Sequence, residues 1–308
     1  MKRSIKTMKP GELLASFMTA GQKRNEVFKQ GHELFYISKL EDLTEISITP
    51  VPPVKSFAHS LFFLQKGLLS MKIGSYSIKL QPDECAVIPA GEVFSYSNDD
   101  QNKSENTEGF ICGFHDDFLL GRIGNRDLLK SFEFLTVWGN PIIQLKKESA
   151  TFLSNSLGRV LAEYAIRGLQ NKVLLQAHLI ALLCDLNLEY VPLSDHSNKR
   201  AVELTNRFKE HLHKKINFTH KVSDYADMLH ISPNHLNKSV KLITNKTPSE
   251  WIRNTLINES KVLIFQTDLT IQQIAFELGI DDPSYFTRIF KKQEGVTPAA
   301  YRKMIVLY

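Results

Sequence analysis

Eight side chains near the C-terminus share one chemistry and one spacing. Asn234, Asn237, Lys238 and Lys241 stand at i, i+3, i+4 and i+7, and Ser284, Thr287, Arg288 and Lys291 repeat the pattern fifty positions later. On a helix these positions lie on one face. Asn, Lys and Arg can hydrogen-bond base edges in the major groove, and Ser and Thr are versatile partners there. Base reading is therefore expected of Asn234, Asn237, Lys238, Ser284, Thr287 and Arg288. Lys241, Lys291 and Lys292 lie farther along and suit phosphates. A solvated polar face is the alternative for either copy alone, and the duplication argues against it.

The elements that carry these faces repeat as well. Pro233 is echoed by Pro283, Leu236 by Phe286, Val240 by Phe290, Thr247-Pro248 by Thr297-Pro298, and Trp251 by Tyr301. Each copy reads as two short helices joined by a tight turn, the helix-turn-helix layout. Val222, Tyr225, Ala226 and Leu229 form the first apolar face, and the turn His230-Ile231 follows. Ser232 then caps the next helix ahead of Pro233. In the second copy Ile271, Ile274, Ala275 and Leu278 form the face, Gly279 breaks the helix, and Asp282 caps the next. The first helices align at an offset of 49, so the second turn holds one extra residue.

Between the copies, Thr247 to Thr267 reads as one helix anchored by Trp251, Leu256, Leu263 and Ile264. A rigid connection of this kind would set two reading helices into successive major grooves, about 34 Å apart. The charge agrees. Residues 199–308 carry 17 Lys and Arg against 11 Asp and Glu, a net of +6, whereas residues 1–198 net −1. An acidic partner is expected at the C-terminal third.

Residues 199–308 resemble the DNA-binding domain of the AraC/XylS family of bacterial transcription regulators. The stretch Ile271 to Arg302, IQQIAFELGIDDPSYFTRIFKKQEGVTPAAYR, carries the resemblance. Ile280 departs from the family's usual Phe, and in the first copy His235 and Val240 replace the usual Tyr and Phe. The resemblance implies double-stranded DNA as partner, RNA polymerase as a second one, and a role in activation; the residues themselves do not choose between activation and repression.

The rest of the chain is bounded by composition. Its 308 residues suggest two or three domains, and 43% hydrophobic with 23% charged residues is ordinary for a globular protein. Three widely spaced cysteines, Cys85, Cys112 and Cys184, argue against a disulfide framework and a zinc site. No apolar run reaches the 18 or so residues that a membrane helix needs, so a cytoplasmic protein is expected. Residues 1–30 show no periodicity and read as an arm. From Leu34 to Phe114, short β-rich runs alternate with turn residues, as in a small barrel or sandwich. The polar stretch 98–108 reads as a hairpin loop. Leu153, Leu157, Val160, Leu161 and Tyr164 then recur at helical spacing, and a second helix is expected from Val173 to Leu188. These helices could pack within the chain or pair two chains.

The fold class is thus multi-domain α+β: a cupin-like β-barrel with trailing helices at about 148–188 in residues 1–190, a linker at 191–198, and an all-α domain at 199–308. The cupin likeness rests on Asp83 to Asn98, which is similar to the second cupin motif of the family's regulatory domain. Asp83 stands in place of its Gly, and Phe94 in place of its metal-binding His. The first motif's His pair is missing, since Ser60 and Leu61 follow His59. Three metal ligands are not supplied, so neither a metal, a cofactor nor an enzymatic role is expected. The resemblance implies instead a small-molecule effector in the barrel and a homodimer through the trailing helices. Phe35, His59, Phe62, Phe94 and Tyr96 are the candidate lining residues, with ordinary core packing the alternative for each. A barrel that only dimerises or binds another protein is the second reading; a metal-dependent cupin enzyme fused to a DNA-binding tail is the third.

Overall fold

The computed structural model describes residues 34–42, 51–55, 58–97, 107–119, 126–136, 140–191 and 199–306. They fall into two compact units, one ending at Val191 and the other at 199–306. The expected arm at 1–30, most of the loop at 98–108 and all of the linker at 191–198 except Val191 lie outside the described residues.

Among the described residues, the N-terminal unit has nine strands: β1 (Phe35–Lys39), β2 (Val51–Lys55), β3 (His59–Lys66), β4 (Leu69–Ile73), β5 (Tyr76–Leu80), β6 (Glu84–Ile88), β7 (Val93–Ser97), β8 (Glu108–Phe114) and β9 (Ile142–Gln144). They form two antiparallel sheets, ordered β1-β8-β3-β6-β9 and β2-β7-β4-β5. Two prolines make Val51-Pro52-Pro53-Val54 a poor strand by sequence. The chain solves this by placing β2 at a sheet edge, with the register against β7 shifting between Val51 and Val54. Asp83, where the resembled motif has Gly, adopts φ +65°. That left-handed turn explains the glycine preference, and Asp tolerates it better than most residues.

Period-2 alternation assigns the two faces of the five-stranded sheet. Phe35, Ile37, Leu61, Phe63, Cys85, Val87, Cys112 and Phe114 share one buried cluster with the trailing helices α4 (Lys147–Arg167) and α5 (Lys172–Glu189). Short helices α1 (Asp116–Leu119), α2 (Arg126–Ser131) and α3 (Glu133–Thr136) lie between β8 and β9. The expected apolar positions Leu153, Leu157, Val160 and Tyr164 of α4 turn onto the sheet. Tyr164 meets Phe35 edge-on at 5.4 Å, and Phe35 stacks on Phe118 at 4.7 Å. Packing within the chain therefore accounts for this face. Glu163, buried on α4, accepts from Arg167 at 2.6 and 2.7 Å and from Asn171 at 3.2 Å, tying α4 to the segment that leads into α5.

The described residues of the C-terminal unit are all helical in their regular structure: α6 (Lys199–Lys215), α7 (Val222–Met228), α8 (Pro233–Thr244), α9 (Pro248–Gln266), α10 (Ile271–Glu277), α11 (Pro283–Glu294) and α12 (Pro298–Val306). The linker helix α9 starts in a capping box between Thr247 and Glu250. Its expected anchors Trp251, Leu256, Leu263 and Ile264 are buried, and every position from Thr255 to Ile264 is buried with them. A helix enclosed on all sides is a core element. It packs against α6, α8, α10 and α12.

Candidate nucleic-acid interface

Each reading helix is twelve residues long, opens on a capped proline and closes on a left-handed residue. Ser232 Oγ accepts from the His235 amide at 3.2 Å, and Asp282 Oδ1 accepts from the Ser284 amide at 2.8 Å. The closing residues are Asn245 (φ +57°) and Gly295 (φ +78°), again fifty apart. Asn and Gly are the residue types that tolerate this region best.

The turns leading into these helices repeat as well. The Ile231 amide donates to the Ala226 carbonyl at 3.0 Å, and the Ile280 amide to the Ala275 carbonyl at 2.9 Å. Both are the six-to-one bond of a Schellman end. The left-handed residues between are His230 (φ +56°) and Gly279 (φ +73°), offset by 49, so Asp281 is the extra residue. The Gly279 position allows nothing larger: a Cβ there would lie 2.6 Å from the Asn217 carbonyl oxygen.

Burial splits both reading helices as the spacing requires. Leu236, Val240, Phe286 and Phe290 point inward, Phe286 and Phe290 meet at 5.9 Å, and Phe290 packs edge-on against Tyr301 at 5.5 Å. Asn234, Lys238, Lys241, Ser284, Arg288, Lys291 and Lys292 are exposed, and Asn237 and Thr287 are half-buried. These last two occupy equivalent positions and do equivalent things. The Asn237 side-chain amide donates to the Pro233 carbonyl, and the Thr287 hydroxyl to the Pro283 carbonyl, both at 3.0 Å. Arg288 lies 3.9 Å from Asp282.

Several contacts in this unit are not legible from helical spacing. His235 and Tyr285, also fifty apart, are exposed beside Asn234 and Ser284 at the reading ends; the repeat itself was the available signal. Trp251 Nε1 donates to Thr244 Oγ1 at 2.9 Å, and Lys246 lies over the indole at 5.2 Å. Arg302 donates to the carbonyls of Leu269 (2.6 Å), Ile264 (3.3 Å) and Thr267 (3.4 Å), joining α12 to the end of α9. Its counterpart in the first copy is Ile252, so alignment of the copies gives no hint of this role.

The five candidate effector residues do not come together. Phe62, Phe94 and Tyr96 face the interior between the sheets, with Phe62 edge-on to Phe94 at 6.0 Å and to Tyr96 at 5.5 Å. Tyr36 shares that interior, its hydroxyl 3.4 Å from Ser60 Oγ. Its ring lies flat on β8, 2.0 Å from where a Cβ on Gly113 would stand. Phe35 and His59 lie on the opposite face, under the helices. His59 Nδ1 accepts from the Ala90 amide at 3.1 Å, so Nε2 carries the proton and donates to Asp116 at 2.9 Å. Among the described residues, no three His, Cys, Asp or Glu side chains cluster as metal ligands. Burial pushes the Cys85 thiol up to about 12 and raises the Cys112 thiol as well.

Residues 225–304, about a quarter of the chain, match the family model described as a helix-turn-helix domain. The C-terminal unit is an AraC-type helix-turn-helix domain. The chain is 38% identical over 90 residues to the bifunctional transcriptional activator/DNA repair enzyme AdaA of Bacillus subtilis, covering 29% of this chain and 43% of AdaA. It is 30% identical over 137 residues to the Msm operon regulatory protein of Streptococcus mutans, covering 44% and 49%. The chain thus spans less than half the length of these relatives. A solved structure of ToxT from Vibrio cholerae aligns over 88% of this chain and 98% of its own, with 15% identity and a TM-score of 0.48. Among the described residues, no helix is long and apolar enough to cross a membrane.

Proposed function

We propose that the chain is a cytoplasmic, sequence-specific DNA-binding regulator of transcription that acts as an activator through RNA polymerase. The observation that carries this reading is the duplicated reading face: two capped helices fifty residues apart, each exposing hydrogen-bonding side chains at its start and lysines farther along. Asn234, Asn237, Lys238, Ser284, Thr287 and Arg288 read bases, and Lys241, Lys291 and Lys292 meet phosphates. Asn237 and Thr287 exchange their proline carbonyls for base edges on binding. The names of AdaA and the Msm operon regulatory protein, an activator and an operon regulator, support the regulatory role.

The N-terminal unit pairs two copies through α5. Its inner face is buried on the sheet, yet its outer face is apolar too: Val173, Ala177, Ala181, Cys184 and Leu188 are exposed at spacings of four, four, three and four. That is the seam of a helix pair, with small residues allowing close approach. A small-molecule effector held between the sheets, at Phe62, Phe94 and Tyr96, modulates DNA binding by favouring one arrangement of the dimer. The second reading, an N-terminal unit that only dimerises, is favoured by one observation: those three rings pack on one another.

Genome-wide mapping of the tagged protein in its host, with transcripts compared after deletion, tests the regulator role. Discrete sites beside genes whose expression falls on deletion are expected. Sites with no expression change would remove the regulatory role, and sites beside genes whose expression rises would make it a repressor.

A further inference from the structure

The two reading helices are electrically unlike. Leu229 to Lys246, which contains the first, has no acidic residue, whereas Leu278 to Gly295 has Asp281, Asp282 and Glu294. Glu294 is engaged at the far end, 3.0 Å from Lys261. Asp281 and Asp282 are exposed at the start of α11, the end that enters the groove in helix-turn-helix docking. The position of Asp282 in the first copy is Ser232, which caps its helix without charge, accepting from the amide three residues on where Asp282 accepts from the amide two residues on. Capping therefore does not require a carboxylate here.

Two consequences follow from placing a charge at that point. The carboxylate opposes the attraction between a helix N-terminus and DNA phosphates. Its second oxygen, Oδ2, lies 3.9 Å from the guanidinium of Arg288, the only cation among the base-reading residues of α11. Both groups are largely exposed, so the pair exchanges readily with other partners.

We infer that Asp282 is a specificity-determining residue of the second reading helix, an inference that rests on the DNA-reading proposal. It holds Arg288 and repels backbone phosphate, so α11 settles only where a base edge replaces the carboxylate as the partner of Arg288. On unrelated DNA the pair persists and the repulsion is uncompensated. The first helix, without such a residue, supplies general affinity.

The test uses the full-length chain as wild type, Asp282→Asn and Asp282→Ser, both of which preserve a good cap. Dissociation constants are measured for a duplex that wild type selects from a random pool and for its scrambled counterpart. Both variants should bind scrambled DNA roughly fivefold tighter, the scale of one unit charge near phosphate in water. The selected duplex should gain less, so discrimination falls. In an Arg288→Ala background the effect of Asp282→Asn on discrimination should shrink, because the two residues act as a pair. Unchanged discrimination in both variants, with wild type still selective, overturns this inference alone. A wild type that distinguishes no sequence overturns the DNA-reading proposal beneath it.

Discussion

Gly279 and the Asn217 carbonyl are in contact across the C-terminal unit: a Cβ on Gly279 would stand 2.6 Å from that oxygen. Gly279 belongs to the second helix-turn-helix copy, and Asn217 to the segment between α6 and α7 of the first. The two copies are thus fixed by direct contact as well as through the buried helix α9.

Substituting Gly279 with Ala combines a left-handed strain of about 1 kcal/mol with a clash against backbone, and should destabilise the C-terminal unit by about 2–4 kcal/mol. His230→Gly, at the equivalent left-handed turn, should be neutral or stabilising by up to about 1 kcal/mol. Thermal unfolding of the full chain, followed by the helical signal, checks both. Equal effects at the two turns would contradict this account.

Arg302→Lys should cost about 1–3 kcal/mol, because an ammonium cannot reproduce the fork that reaches the carbonyls of Ile264, Thr267 and Leu269. The loss should appear as a lower urea midpoint for the C-terminal unit, with the N-terminal unit unaffected.

Thiol labelling should sort the cysteines. Burial raises the Cys85 and Cys112 thiols, whereas Cys184 is exposed on the outer face of α5. One thiol per chain should react quickly at neutral pH in the monomer, and mild oxidation of the dimer should cross-link Cys184 to its symmetry mate. Ala181→Glu should abolish the cross-link and give a monomer in sedimentation. Cross-linking that persists in that variant would exclude the α5 seam.

Three carboxyls are held below their ordinary range: Glu163 chiefly by Arg167, Asp224 by the Thr219 hydroxyl, and Glu250 by the Thr247 amide. A depressed folded-state value means that their stabilisation is complete above the unfolded value, about 4. It is lost as pH falls through the folded value. Glu163→Gln should therefore lower stability at neutral pH and flatten its decline on acidification, measured as denaturant midpoints from pH 7 to 2.

The sequence revealed most where periodicity was doubled. The repeat at fifty placed both reading helices, their caps and their buried Leu236, Val240, Phe286 and Phe290, because a helix face can be read from spacing alone. It did not reveal α6, nor Arg302, whose partner position is Ile252. In the N-terminal unit, strands rich in branched and aromatic residues were legible. β2 was concealed by its prolines and β9 by its three-residue length. Which face Phe35 and His59 take depends on which sheet layer the helices cover, a tertiary fact that alternation does not contain.

Selection of binding sequences from a random duplex pool by the full-length chain tests whether α8 and α11 read DNA together at a fixed separation. A bipartite motif whose halves lie about one helical turn apart is expected. Arg288→Ala should lose about 1–3 kcal/mol and relax one base position in one half. Lys291→Ala and Lys292→Ala should weaken all sequences alike and flatten the salt dependence. A pool that stays random, or an Arg288→Ala protein that loses selected and scrambled DNA equally, would contradict that joint reading.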